Sequence, residues 1–132
     1  MANVITDLRS GTRSFVVLPS EARTASPDTM EFEGLGRASG LVVVVDVTAA
    51  DLTADIIVKL QGVDRVASGK TWDILTSASL TAAGTTVLRV RPGITGTANV
   101  AASEPLPSVV RISVTHAGSG SITYSVSGHL AF

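Results

Sequence analysis

Along Val110, Arg111, Ile112, Ser113, Val114 and Thr115, apolar and polar side chains alternate without a break. A period of two belongs to a strand, so one face of this segment meets a core and the other meets water. Alternation resumes after Ala117-Gly118-Ser119-Gly120-Ser121. Ile122, Tyr124, Val126, Leu130 and Phe132 fall on one side, and Thr123, Ser125, Ser127 and His129 on the other. Two alternating runs joined by a Gly/Ser connector predict an antiparallel hairpin. Upstream, Ile56, Val58 and Leu60 alternate with Lys59 and Gln61 and predict a strand ending near Gly62. Trp72 and Ile74 predict a short strand with a shared face, and Val87 to Arg91 predict another, closed by Pro92-Gly93. With Pro105 and Pro107, the stretch from Pro92 to Ser108 reads as a long irregular connection. Thr48 to Asp55 reads as a turn between strands, and no amphipathic helix is apparent.

Two segments break the alternation. Phe15-Val16-Val17-Leu18 and Leu41-Val42-Val43-Val44-Val45 are apolar at both parities. A strand buried on one face alternates, so both faces of these strands are expected to be covered. The cover is either the chain's own first residues or a neighbouring subunit. On the second reading, Phe15, Val17, Val43 and Val45 are the candidate oligomer or capsid interface. The first 39 residues differ from the rest, with nine charges (four basic, five acidic) and one good strand. Residues 1–33 are therefore expected to form an N-terminal arm and edge strand, with residues 34–132 as the folded domain. The alternative is an ordinary edge strand with loops.

Composition sharpens the fold class. Val occurs 18 times and Thr 15 times against 11 Leu, a balance that favours pleated strands. Frequent Gly and Pro punctuation completes the pattern of an all-β protein. The expected architecture is a two-sheet antiparallel β-sandwich, jelly-roll-like, with an extended N-terminal arm. Parity does not give strand order, so immunoglobulin-like and other two-sheet topologies stay open. At 132 residues one domain is expected, and the absence of Cys excludes disulfides and thiolate zinc sites. The longest uninterrupted apolar run is Leu41 to Val45, far short of the roughly 20 residues of a spanning helix. Met1 to Asp7 lacks a basic and then apolar leader pattern, so an intracellularly made protein without membrane association is expected. A net charge of −1 argues against a grip on nucleic acid by basicity alone. The positive mean hydropathy points instead to apolar surface beyond what one small core needs.

Chemistry is sparse. Ser68-Gly69-Lys70-Thr71 resembles the end of a P-loop, but the required earlier glycine is replaced by Asp64 and the following residues read as strand. There is no Gly-x-Ser-x-Gly elbow, and the only imidazoles are His116, at a strand end, and His129, on a polar face. Asp46, Asp51 and Asp55 lack the spacing of a calcium loop. Trp72 and Tyr124 lie on apolar parities and are expected in the core, leaving no aromatic platform for a sugar. No catalytic residue, metal site or cofactor is expected. Arg89, Arg91 and Arg111 share solvent-facing parity and form a candidate basic surface, suited to an acidic partner as much as to phosphate. The plainer alternative is a scattered solvated face.

Several segments together resemble a family of small virion proteins of tailed bacteriophages. They are Gly40 to Ala50, Gln61-Gly62-Val63-Asp64, Ser68 to Thr95 and Ser121 to Leu130. The recurrent features stand here as Asp46-Val47-Thr48, Gly84 to Val90, Pro92-Gly93-Ile94, Leu106-Pro107 and Ile122 to Val126, with a departure near Thr53. The similarity spans residues 34–132; residues 1–33 carry no matching motif. The resemblance implies a small all-β accessory protein of the particle without catalytic residues. The expected role is a capsid decoration or cement protein, a homotrimer bound to the major capsid protein on the capsid exterior and made in the bacterial host cytoplasm. No nucleic-acid or membrane partner is expected. A tail or head–tail connector subunit, and a β-sandwich module binding carbohydrate or a host surface, are the alternatives.

Overall fold

In the computed structural model, residues 3–7, 13–66 and 69–132 are described. They form β1 (Asn3–Asp7), β2 (Ser14–Arg23), β3 (Thr29–Glu33), β4 (Gly40–Ala50), β5 (Ala54–Asp64), β6 (Lys70–Thr76), β7 (Gly84–Val90), β8 (Ala101–Ala102), β9 (Val109–Gly118) and β10 (Ile122–Ala131). One sheet runs β1-β3-β9-β5-β6 and the other β2-β10-β4-β7-β8, packed face to face. Setting aside the outermost β1 and β8, β2 pairs with β10, β3 with β9, β4 with β7 and β5 with β6, all antiparallel. Those nested pairs, shared between two four-stranded sheets, are the connectivity of a jelly roll. The two edge additions are parallel, β1 to β3 and β7 to β8, so the sheets are mixed rather than wholly antiparallel. No helix among the described residues is long and apolar enough to cross a membrane.

The core follows the odd–even pattern of the strands. Val43, Val45, Leu88, Ile122 and Tyr124 of one sheet meet Phe32, Ile56, Val58, Leu60 and Ile112 of the other. Each fully buried aliphatic side chain contributes on the order of 1.5–3 kcal/mol of transfer free energy. Tyr124 is buried while Trp72, also expected in the core, is 46% exposed. A register shift between Leu60 and Gln61 leaves Ile74 without a partner and seats Trp72 opposite Gly62, at the open margin of the sheet.

Three expectations change. The β9 and β10 segments are not a hairpin: β9 lies between β3 and β5, and β10 between β2 and β4. Their Gly/Ser connector crosses from sheet to sheet, so the apolar faces of the two runs approach the core from opposite sides. Of residues 1–33, expected as an N-terminal arm and edge strand, the described ones supply two edge strands (β1 and the full-length β2) and an internal strand (β3). Val17, Leu18 and Phe32 on these strands belong to the core. Finally, the apolar run in β2 does not reflect two covered faces. Val126 opposes Leu18 and the next residue, Ser127, opposes Val16, so Val17 is an extra residue in a β-bulge. The bulge turns Val17 and Leu18 both inward and leaves Val16 67% exposed.

Candidate functional site

The outer faces of the two sheets differ in kind. Across the β1-β3-β9-β5-β6 sheet, Ile5, Glu31, Arg111, Gln61 and Asp73 stand in one register row. Glu31 is buried, and its carboxylate accepts from Arg111 at 2.8 and 2.5 Å and from Arg65 at 2.7 Å. Arg65 also reaches Glu33 at 3.2 Å. Burial alone pushes the Glu31 carboxyl up, but the hydrogen bonds and charges of Arg111 and Arg65 outweigh it and hold it below the ordinary glutamate range. Gln61 donates to Asp73 at 2.8 Å, and Lys59 lies 3.9 Å from the same carboxylate. Charge on this face is thus largely met within the chain.

The β2-β10-β4-β7-β8 sheet turns outward a different surface. Val16, Ser127, Val44 and Val87 stand directly opposite one another across β2, β10, β4 and β7. The adjoining row is Ser14, His129, Val42 and Arg89. Ser14 Oγ shares a hydrogen bond with His129 Nδ1 at 3.0 Å. Val16 is exposed and Val44 and Val87 are half-buried, with Ser127 between Val16 and Val44; Ser125, Asp46 and Thr85 form the row on the other side.

At one end of this face Gly40 opens a groove of about 320 Å³ lined by Gly40, Leu41, Val42, Arg89, Val90, Arg91, Ile94 and Ala131. Gly40 lies opposite Ala131, and a Cβ at position 40 would meet the Arg91 Cβ and Cγ at 3.3 Å and the Val90 carbonyl at 3.1 Å. The missing side chain is the groove's floor. Among the described residues, the Arg89 and Arg91 side chains make no ion pair or hydrogen bond. The other described guanidiniums are engaged. Arg13 lies over the Phe132 ring, Arg23 bonds the carbonyls of Pro19 and Tyr124, Arg65 and Arg111 hold Glu31, and Arg37 has a partner. Glu104, two residues beyond β8, forms no ion pair with either free arginine.

The residues singled out in the sequence fall as follows. Val17, Val43 and Val45 are inside the sandwich, at 2%, 0% and 0% exposure, and cannot be an interface of the folded chain. Phe15 is half-buried, its ring 4.7 Å from that of Phe32. The physical reason is parity: in β4 the odd residues face the core, and the outward pair is Val42 and Val44. Arg89 and Arg91 lie together, but Arg111 is on the opposite sheet and engaged with Glu31, so the three arginines do not make one surface. Neither the valine row nor the Gly40 groove is visible in single-strand parity, because both depend on which strands are neighbours.

Other candidate chemistry disperses. Ser68 of the P-loop-like stretch lies outside the described residues; Gly69 is in a turn with φ 71° and Lys70 begins β6. Asp46, Asp51 and Asp55 each accept from a different hydroxyl, those of Thr85, Thr53 and Ser79. Asp51 is held below the usual carboxylate range by the Thr53 backbone N–H and then its hydroxyl. His116 Nε2 donates to the Gly120 carbonyl at 2.9 Å, while its Nδ1 is buried without a partner among the described residues. No three His, Asp or Glu side chains converge among the described residues as a metal-ligand set. Comparison with protein-family models, with curated proteins and with solved structures gives no match to this chain.

Proposed function

We propose that this protein is a non-enzymatic structural component of a bacteriophage particle, a decoration or cement protein that binds the capsid lattice and stabilises the head. The observation that carries the reading is the asymmetry of the two outer faces: charge on one is largely met by its own ion pairs, and the other presents exposed Val16 and half-buried Val44 and Val87 in one register row beside two free arginines. An apolar row of this kind gains free energy by being covered, at about 25 cal/mol per Å² before the cost of association. The jelly roll is compatible with the role without implying it, since the fold also serves lectins and enzymes. The resemblance of residues 34–132 to small virion proteins supplies the phage setting.

The test is immunogold labelling of purified particles of the phage that encodes the chain. Label over the heads is the expected result. Label on tails and never on heads would assign the protein to the tail or connector, and particles free of label would end the virion reading.

A further inference from the structure

We infer that the Gly40 groove is a carboxylate-binding site, taking an acidic side chain from an apolar-acidic segment of the protein that docks on this face. The inference rests on the reading of the β2-β10-β4-β7-β8 face as a docking surface and names what one corner of it recognises. Arg89 is in β7 and Arg91 directly follows its last residue, and both line the groove. Both are exposed and without a side-chain partner, beside a groove walled by Val42, Ile94 and Ala131. A planar guanidinium offers a fork of donors that matches a carboxylate, and apolar walls strengthen the pair by lowering the local dielectric. The valine row adjoining the groove selects the rest of the ligand. A nucleic-acid track would need a longer basic stripe and aromatic faces for stacking. Here the arginines give way within one register row to Val44 and Val87, which favours a protein segment carrying apolar residues next to its acid.

The probe is the capped tetrapeptide acetyl-Val-Glu-Val-Glu-amide, titrated into the ¹⁵N-labelled full chain while the arginine Nε–H resonances are followed. Saturable shifts confined to Arg89 and Arg91 are expected. The Val-Gln-Val-Gln counterpart should bind weaker by about tenfold, the factor that a lost charge-assisted hydrogen bond of about 1.4 kcal/mol corresponds to. Arg91→Gln should weaken the Glu peptide by a similar factor, whereas Arg13→Gln, outside the groove, should leave it unchanged. Equal binding of the Gln peptide would overturn the inference, as would stronger shifts with oligo-dT or inorganic phosphate than with the Glu peptide. The titration reads the groove itself and particle labelling reads location, so failure of one is distinguishable from failure of the other.

Discussion

Glu31 shows how a single residue can be out of place by polarity and still be required. It points outward, yet it is 1% exposed because Arg111 and Arg65 close over it. Its folded-state pKa is depressed, so its contribution to stability is fully present at neutral pH and lost as pH falls through the folded value. Glu31→Gln is expected to cost about 2 kcal/mol at pH 7, below the 3–5 of a fully buried pair because both arginines reach solvent. The difference from wild type should shrink in acid, read by urea unfolding at pH 7 and pH 3. Tyr124 is the opposite case. Its hydroxyl is buried without a hydrogen-bond partner among the described residues, and its ring lies under the Arg23 guanidinium at 4.6 Å. Burial, more than Arg23 offsets, pushes the phenol above the ordinary tyrosine range. Tyr124→Phe keeps the ring stacking and removes the orphaned hydroxyl, so stability should be unchanged or raised by up to about 1 kcal/mol in thermal unfolding.

Two pairs of facing residues explain how individual strands are fitted together. Gly128 of β10 lies opposite Phe15 of β2, and a Cβ there would fall 2.3 Å from the ring. Gly62 of β5 lies opposite Trp72 of β6, with a Cβ 2.2 Å from the indole. The clashes match, but the outcomes should not. Phe15 is wedged against Phe32, so Gly128→Ala should cost about 1–3 kcal/mol by overpacking. Trp72 is at the margin and can swing into water, so Gly62→Ala should cost less and shift the emission of the chain's only Trp to longer wavelength. Chemical denaturation followed by tryptophan fluorescence checks both. At this scale, strand existence was legible in the sequence, since alternation over 110–115 and 122–132 correctly marks β9 and β10. What alternation misses is the partner of each strand. The Gly/Ser connector has the same composition whether it turns a hairpin or crosses between sheets. The β2 bulge likewise imitates a strand covered on both faces.

For the whole molecule, the sandwich architecture follows from pattern and composition, while the candidate site follows from topology. Arg89, in β7, and Arg91, just past its end, are two residues apart and stay together. Arg111 shares their solvent-facing parity, and only strand order puts it on the far sheet. The valines chosen from the broken alternation have the wrong parity for the surface, and the surface ones are their neighbours Val16, Val42 and Val44. This gives a sharp contrast in substitutions: Val43→Asp buries an unpaired charge and should unfold the chain, whereas Val16→Asp should leave the fold intact.

The most direct test is to add purified protein back to particles from a phage stock lacking the gene and measure co-sedimentation. The wild type and a variant carrying Val16→Asp with Val44→Thr are compared, after circular dichroism has established that both fold. Saturable binding of the wild type to heads, and its loss in the variant, is the expected result. Equal binding of the two proteins would contradict the claim that the valine face is the docking surface.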